Sequence, residues 1–86
     1  MHTVEMLEQA VDLAVRLGYS VRQDSFAGSG GGCCEVKGRK FLFLDLDLSP
    51  EEQLDQVVAG LRHEPIAPTI VMPRELGELL KVRKIA

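Results

Sequence analysis

The most chemically versatile residues of this sequence are two adjacent cysteines, Cys33 and Cys34, which follow the glycine-rich run of residues 28–32. A thiolate can act as a nucleophile or a metal ligand, and consecutive glycine N–H groups can enclose a small anion. Neighbouring residues of a strand point to opposite faces of a sheet, so we expect one thiol in the core and the other in solvent or a groove. The candidate binding residues are Gly30, Gly31, Gly32, Cys33 and Cys34.

A disulfide between the two cysteines is not expected, because adjacent Cα atoms lie about 3.8 Å apart, below the usual minimum of about 4.4 Å. A zinc site would need further ligands at workable spacing, and neither His2 nor His63 forms a recognised ligand pair with the cysteines. His63-Glu64 begins a zinc-hydrolase pattern, but Ala67 stands where its second histidine belongs, and Pro65 would break the helix. We therefore predict no catalytic residue, metal ligand or cofactor, and an enzyme is the less favoured class.

The glycines also lack the surroundings of a nucleotide-binding loop. Such a loop joins a strand to a helix whose N-terminus faces the phosphate, whereas residues 28–32 lead into another strand, with no Gly-Lys-Ser/Thr after them. They are either a conformational turn or, less often, a small anion nest.

Asp45 and Asp47 alternate at the end of an apolar run. Two carboxylates on one side of a strand can hold a divalent cation or carry out acid–base chemistry. Acids just before a helix more often serve the strand-to-helix turn and the helix dipole, and we favour that interpretation.

Composition excludes several classes. The chain has 86 residues, which suits a single domain over residues 1–86, with 45% hydrophobic residues, 27% charged residues and a formal charge of −3. This charge offers no basic field for nucleic acid, and the longest apolar run, Phe41–Leu44, is far too short to cross a membrane. The first residues show no secretory leader, and two cysteines cannot supply a disulfide framework. We expect a cytoplasmic protein.

The elements that must position these residues follow from periodicity. Helical spacing predicts a helix over 4–17, with Thr3 as N-cap and Gly18 as its left-handed end. Alternation predicts a strand over 19–24, and a glycine-rich loop over 25–32 follows. Residues 33–37 and 40–46 form a hairpin around Gly38-Arg39. Phe41–Leu44 is apolar on both faces, so the third strand should be central.

Ser49-Pro-Glu-Glu52 carries a serine N-cap, a proline at the first helical position and a glutamate at the third, and it predicts a helix over about 50–62. Pro73 begins a last helix with Leu76, Leu79 and Leu80 facing inward. The predicted fold is α+β, a small, mainly antiparallel three-stranded sheet packed by helices in the order α-β-β-β-α-α.

Two resemblances accompany this pattern. The chain resembles a family of small uncharacterised bacterial proteins with a Gly-Gly-x-Cys-x-x-x-Gly hairpin, an apolar strand and a Ser-Pro-Glu-Glu helix. The matching positions are Gly31, Gly32, Cys34 and Gly38, then Phe41–Leu44 and Ser49–Glu52. This resemblance supplies no activity that could be carried over to the chain. The layout is also similar to the N-terminal scaffold of ImmA/IrrE-like metallopeptidases. Their zinc motif would fall near Ala59-Gly60, where the sequence has no ligand.

Three functional hypotheses remain. The favoured one is a non-enzymatic domain that binds an unknown protein partner or forms a homodimer. The second is a thiol or metal function at Cys34, the cysteine that the family pattern matches. The third is binding of an anion or small ligand at residues 28–32.

Overall fold

The three strands form one sheet with helices packed on one side of it. The structure, a computed structural model, describes residues 2–25, 31–67 and 69–81. In chain order its elements are α1 (Thr3–Arg16), β1 (Ser20–Asp24), β2 (Gly32–Val36), β3 (Arg39–Asp45), α2 (Pro50–Leu61) and α3 (Arg74–Leu80). The predicted α+β class and the predicted order of elements are confirmed.

β3 is the central strand, as its apolar sequence predicts. The spatial order is β1-β3-β2, with β1 parallel to β3 and β2 antiparallel to it. Asp24 pairs with Asp45 and Gly32 pairs with Phe43, so β1 ends and β2 begins at the same end of β3. β1 and β2 are thus the two edge strands of the sheet.

The core lies between the sheet and the helices. Leu42 and Leu44 of β3 are buried on the helix side, whereas Phe41 and Phe43 on the outer face are half-buried, with ring centroids 5.9 Å apart. The other buried hydrophobic residues are Met6, Ala10, Leu13, Ala14, Tyr19, Val57, Val58, Leu61, Leu76 and Leu80. Alternation along β3 thus matches a sheet with one helix-covered face.

Of the two ends of α1, only the C-terminal one follows the prediction. Thr3 is the first residue of α1 and His2 is its N-cap, without a side-chain hydrogen bond, so the predicted threonine cap is wrong. At the other end Gly18 has φ +96°, and the N–H of Tyr19 donates to the carbonyl of Ala14 at 3.0 Å. This is the expected left-handed glycine ending of a helix.

α2 begins at the predicted capping box. The N–H of Glu52 donates to Ser49 Oγ at 3.2 Å, and the Ser49 hydroxyl donates to Glu52 Oε1 at 3.1 Å. Pro50 occupies the first helical position, where its missing N–H costs nothing. The helix ends at Leu61, one residue before the expected end.

Two local expectations need correction. The hairpin turns at Lys37-Gly38, with φ +51° and +79°, rather than at Gly38-Arg39, because a two-residue turn that matches strand twist takes positive φ at both positions. In α3, Leu76 and Leu80 are buried, but Leu79 is 37% exposed. Leu76 and Leu80 are four residues apart and share one helix face, whereas Leu79 lies beside that face.

Gly60 sets how closely α2 approaches β2. A Cβ placed on Gly60 would overlap the Sγ of Cys33 and lie 2.7 Å from its Cβ. The absence of a side chain therefore lets the helix rest against the start of β2. Gly77 of α3 differs, because a Cβ there would meet Met72 Sδ at 3.7 Å, an ordinary contact.

Two alanine substitutions separate these roles. We expect Gly60→Ala to lower the free energy of unfolding by about 1–3 kcal/mol through overpacking against Cys33. Gly77→Ala should raise it by about 0.5–1 kcal/mol, because alanine is the better helix former. Urea unfolding followed by circular dichroism measures both changes. A neutral Gly60→Ala would contradict the close approach.

Candidate functional site

Four of the five predicted site residues lie together at the start of β2, and Gly30 lies outside the described residues. The Gly31 N–H donates to Gln56 Oε1 of α2 at 3.0 Å, and a Cβ on Gly31 would overlap the carbonyl oxygen of Phe43. Gly32 has φ +121°, in the range that favours glycine. These two glycines therefore have conformational roles, and the Gly31 N–H is already used within the protein.

The two thiols point to opposite faces, as strand geometry predicts. Cys33 is half-buried and contacts α2 at Gly60, whereas Cys34 is exposed on the outer face of the sheet. Both cysteines are free. Burial raises the pKa of the Cys33 thiol, although a hydrogen bond with Tyr19 acts in the opposite sense. At neutral pH Cys33 is therefore a protonated thiol, which is a poor nucleophile.

Alkylation should distinguish the thiols. We expect iodoacetamide at pH 7.5 to modify Cys34 at least tenfold faster than Cys33, since Cys34 is exposed while burial shields Cys33 and raises its pKa. Peptide mass spectrometry over a time course measures both rates in the native chain. Single-cysteine variants Cys33→Ser and Cys34→Ser serve as controls. Faster labelling of Cys33 would contradict the described geometry.

A polar cluster that the sequence did not reveal includes Cys33. It comprises Tyr19, Cys33, Lys40 and Glu64, and we call it the Tyr19 cluster. The Tyr19 hydroxyl donates to Glu64 Oε1 at 2.5 Å, and Lys40 Nζ donates to Glu64 Oε2 at 3.0 Å. Lys40 Nζ also lies 5.6 Å from the centre of the Tyr19 ring, within cation–π range. The cluster joins the segment after α2 to the sheet.

Electrostatics in the Tyr19 cluster favour a structural link between the segment after α2 and the sheet rather than acid–base chemistry. The Tyr19 and Lys40 hydrogen bonds lower the pKa of the Glu64 carboxyl, which keeps it ionised. Burial and the hydrogen bond to Glu64 raise the pKa of the Tyr19 phenol, which keeps it protonated. A general acid or base works best with a pKa near the working pH, and both groups are shifted away from it.

This structural link predicts that Glu64 makes a pH-dependent contribution to the free energy of unfolding. Because the pKa of Glu64 is lower in the folded than in the unfolded chain, its contribution is present above the unfolded pKa, about 4.3, and is lost as the pH falls through the folded pKa. We expect Glu64→Gln to lower the free energy of unfolding at pH 7 by about 1 kcal/mol.

The measurement is urea unfolding of both proteins from pH 7 to pH 3, in which the difference between them should shrink on acidification. Glu78→Gln is the matched control, because Glu78 pairs with Arg74 at 3.2 Å on the exposed surface and such pairs contribute little. A difference in the free energy of unfolding that stays constant down to pH 3 would refute this structural link.

The acidic pair after β3 takes the simpler of its two predicted roles. Asp45 is fully buried, and its Oδ1 accepts the N–H of Asp47 at 3.0 Å, which shapes the turn into α2. Asp47 also accepts a hydrogen bond from the Ser25 hydroxyl. Among the described residues, no three or more histidine, cysteine, aspartate or glutamate side chains come together in a way that could hold a metal ion.

A concave, partly apolar surface runs along α1, and we call it the α1 groove. It has a volume of about 440 Å³. Four α1 residues form its apolar wall, Val4, Leu7, Val11 and Val15. Its floor is formed by Leu44 of β3 and Leu46, which follows the strand. Polar residues complete the lining: Glu8, Asp12, Gln23 and Gln53.

α1 therefore has two apolar stripes. One stripe, which includes Ala10 and Leu13, is buried in the core. The stripe of the α1 groove is much less covered, since Val4 is 53% and Val15 54% exposed. A helix that packs on one side needs only one stripe. The packing shows that the stripe with Val4 and Val15 is the more exposed one.

Comparison with known proteins adds no relative. No protein-family model matches the chain, and neither the curated proteins nor the solved structures contain a significant match. The two resemblances drawn from the sequence thus stay predictions. Across residues 2–25, 31–67 and 69–81, no helix combines the length and apolar character that crossing a membrane requires.

Proposed function

We propose that this protein is a non-enzymatic association domain that binds a protein segment in the α1 groove. The observation that carries this proposal is the second apolar stripe of α1, in which Leu7 and Val11 pack partly against the core while Val4 and Val15, with nearby Leu46, stay more than half exposed. Grouped apolar side chains at the surface of a small domain are typical of an interaction site, whereas single ones are not.

The α1 groove has apolar side chains that can supply binding affinity and polar groups that can orient a bound segment. Burying an aliphatic side chain fully contributes about 1.5–3 kcal/mol, and Val4, Val15 and Leu46 are each more than half exposed. The polar groups of Gln23 and Gln53 lie at the same surface, and the Gln53 amide donates to the carbonyl of Leu48 at 2.9 Å, which holds it in place. This combination of an apolar floor and fixed polar groups suits a specific contact.

The alternatives receive less support from the described contacts. A thiol function needs a readily formed thiolate, yet burial raises the pKa of Cys33. An anion site at the glycines needs free N–H groups, yet the Gly31 N–H donates to Gln56. A thiol function at Cys34 remains a separate hypothesis.

Peptide selection tests the proposal without assuming a partner. Peptides displayed on phage are selected on the immobilised domain, and their effects on its valine methyl resonances are recorded by NMR. We expect selected peptides to shift the signals of Val4, Val11 and Val15. Val15→Asp should weaken their binding at least tenfold, because a carboxylate would then lie in the apolar groove.

Val71→Asp is the matched control, since Val71 is 82% exposed and lies outside the α1 groove. This variant should bind the selected peptides as the native chain does. Peptides that bind Val15→Asp and the native chain equally well would refute the groove as the contact surface.

A further inference from the structure

We propose that the partner in the α1 groove is a second copy of this chain, joined to the first by antiparallel pairing of their β1 strands. This inference rests on the proposed function, because it names the occupant of the same groove. Three observations support it: the outer edge of β1, which no other described strand pairs, the position of that edge beside the groove, and the order of charges along β1.

Within residues 2–25, 31–67 and 69–81, no strand pairs with the outer edge of β1. The carbonyl of Asp24 accepts the N–H of Leu46 at 2.9 Å, so the main chain of Asp24 faces β3. Main-chain directions alternate along a strand, so the N–H and carbonyl groups of Val21 and Gln23 face away from β3. Among the described residues β1 pairs with β3 alone, and such an edge is a template for another strand.

This edge lies directly beside the α1 groove. Gln23 lines the groove, and it stands opposite Leu44 in the β1–β3 register, which places both side chains on the helix side of the sheet. A strand added to β1 would therefore send alternate side chains towards the apolar wall of α1. One partner segment can satisfy the strand edge and the groove together.

Charge selects a second copy and its register. In a two-fold antiparallel pair of β1 strands, residues whose N–H and carbonyl groups face away from β3 must hydrogen-bond with residues of the same kind in the partner. The two-fold axis then passes through Val21, Arg22 or Gln23. With the axis at Val21, Arg22 faces the partner's Ser20, which is uncharged, so it forms no ion pair. With the axis at Arg22, that residue faces the partner's Arg22, and like charges oppose each other. With the axis at Gln23, Arg22 faces the partner's Asp24 twice. Opposite charges across strands stabilise a pair by about 0.2–1 kcal/mol each.

The same axis places the two α1 grooves opposite each other. The exposed stripe of one α1 then faces the stripe of its partner, so each copy covers the other's apolar wall. The carboxylates of Glu8 and Asp12 lie at the rim of the groove, and Asp12 is paired with Arg16 at 2.9 Å. The apolar side chains thus meet at the centre of the interface, and the charged ones stay at its wet margin.

Charge exchange tests the register. Sedimentation equilibrium of the native chain should show a reversible dimer. Arg22→Asp and Asp24→Arg each place like charges opposite one another in this register, and each should raise the dimer Kd at least fivefold. The double variant Arg22→Asp/Asp24→Arg restores opposite charges and should return the Kd to within about twofold of the native value. Circular dichroism checks that each variant folds.

A cross-link provides a second readout that does not depend on these charges. In a Cys33→Ala/Cys34→Ser background, Gln23→Cys lies on the proposed axis, where facing Cα atoms are about 5.5 Å apart, a distance that a disulfide spans. Mild oxidation should link the two chains. Glu35→Cys, on the other edge strand, is the control and should not form this dimer.

The outcomes separate this inference from the function on which it rests. A native chain that stays monomeric at millimolar concentration, or a dimer that neither single charge variant weakens, refutes the second copy. Failure of the Gln23→Cys cross-link in a dimer refutes the β1 register. Either result leaves the peptide selection to decide whether the α1 groove binds a different protein.

Discussion

The close contact between α2 and β2 at Gly60 is the constraint on which most of the described geometry depends. Because Gly60 has no side chain, α2 can rest on Cys33. That position brings Gln56 within 3.0 Å of the Gly31 N–H at one end. At the other end it brings Glu64 to Tyr19 and Lys40. The hydrogen bond that holds Gly31 and the contacts of the Tyr19 cluster thus both depend on the close approach between α2 and β2.

Local signals predicted the parts of the fold that depend on neighbouring residues. The serine N-cap at Ser49, the left-handed Gly18 and the apolar run of β3 each act within a few residues, and each was confirmed. The threonine cap was wrong because only half of its signal was present, with Met6 in place of a glutamate. The hairpin turn was displaced by one residue, since Lys37 adopts the positive φ expected of a glycine or asparagine.

The candidate site was harder to predict because its contacts are distant in sequence. Tyr19 and Glu64 are 45 residues apart, and nothing in the local pattern of either residue indicates the other. The parallel pairing of β1 with β3 likewise follows from tertiary packing. Helical spacing predicted α1 itself, but the division of its apolar surface into a buried and a more exposed stripe depends on where α2 and α3 pack.

The central position of β3 also bears on how the chain reaches its fold. β1 is made first, yet its neighbour in the sheet is the last of the three strands to be synthesised. The β2–β3 hairpin involves only local contacts and can form within microseconds, whereas docking of α1 and β1 closes a much longer loop. We expect the hairpin to form early and α1–β1 to join it late. Until β3 leaves the ribosome, β1 has two unpaired edges and has to avoid other nascent chains.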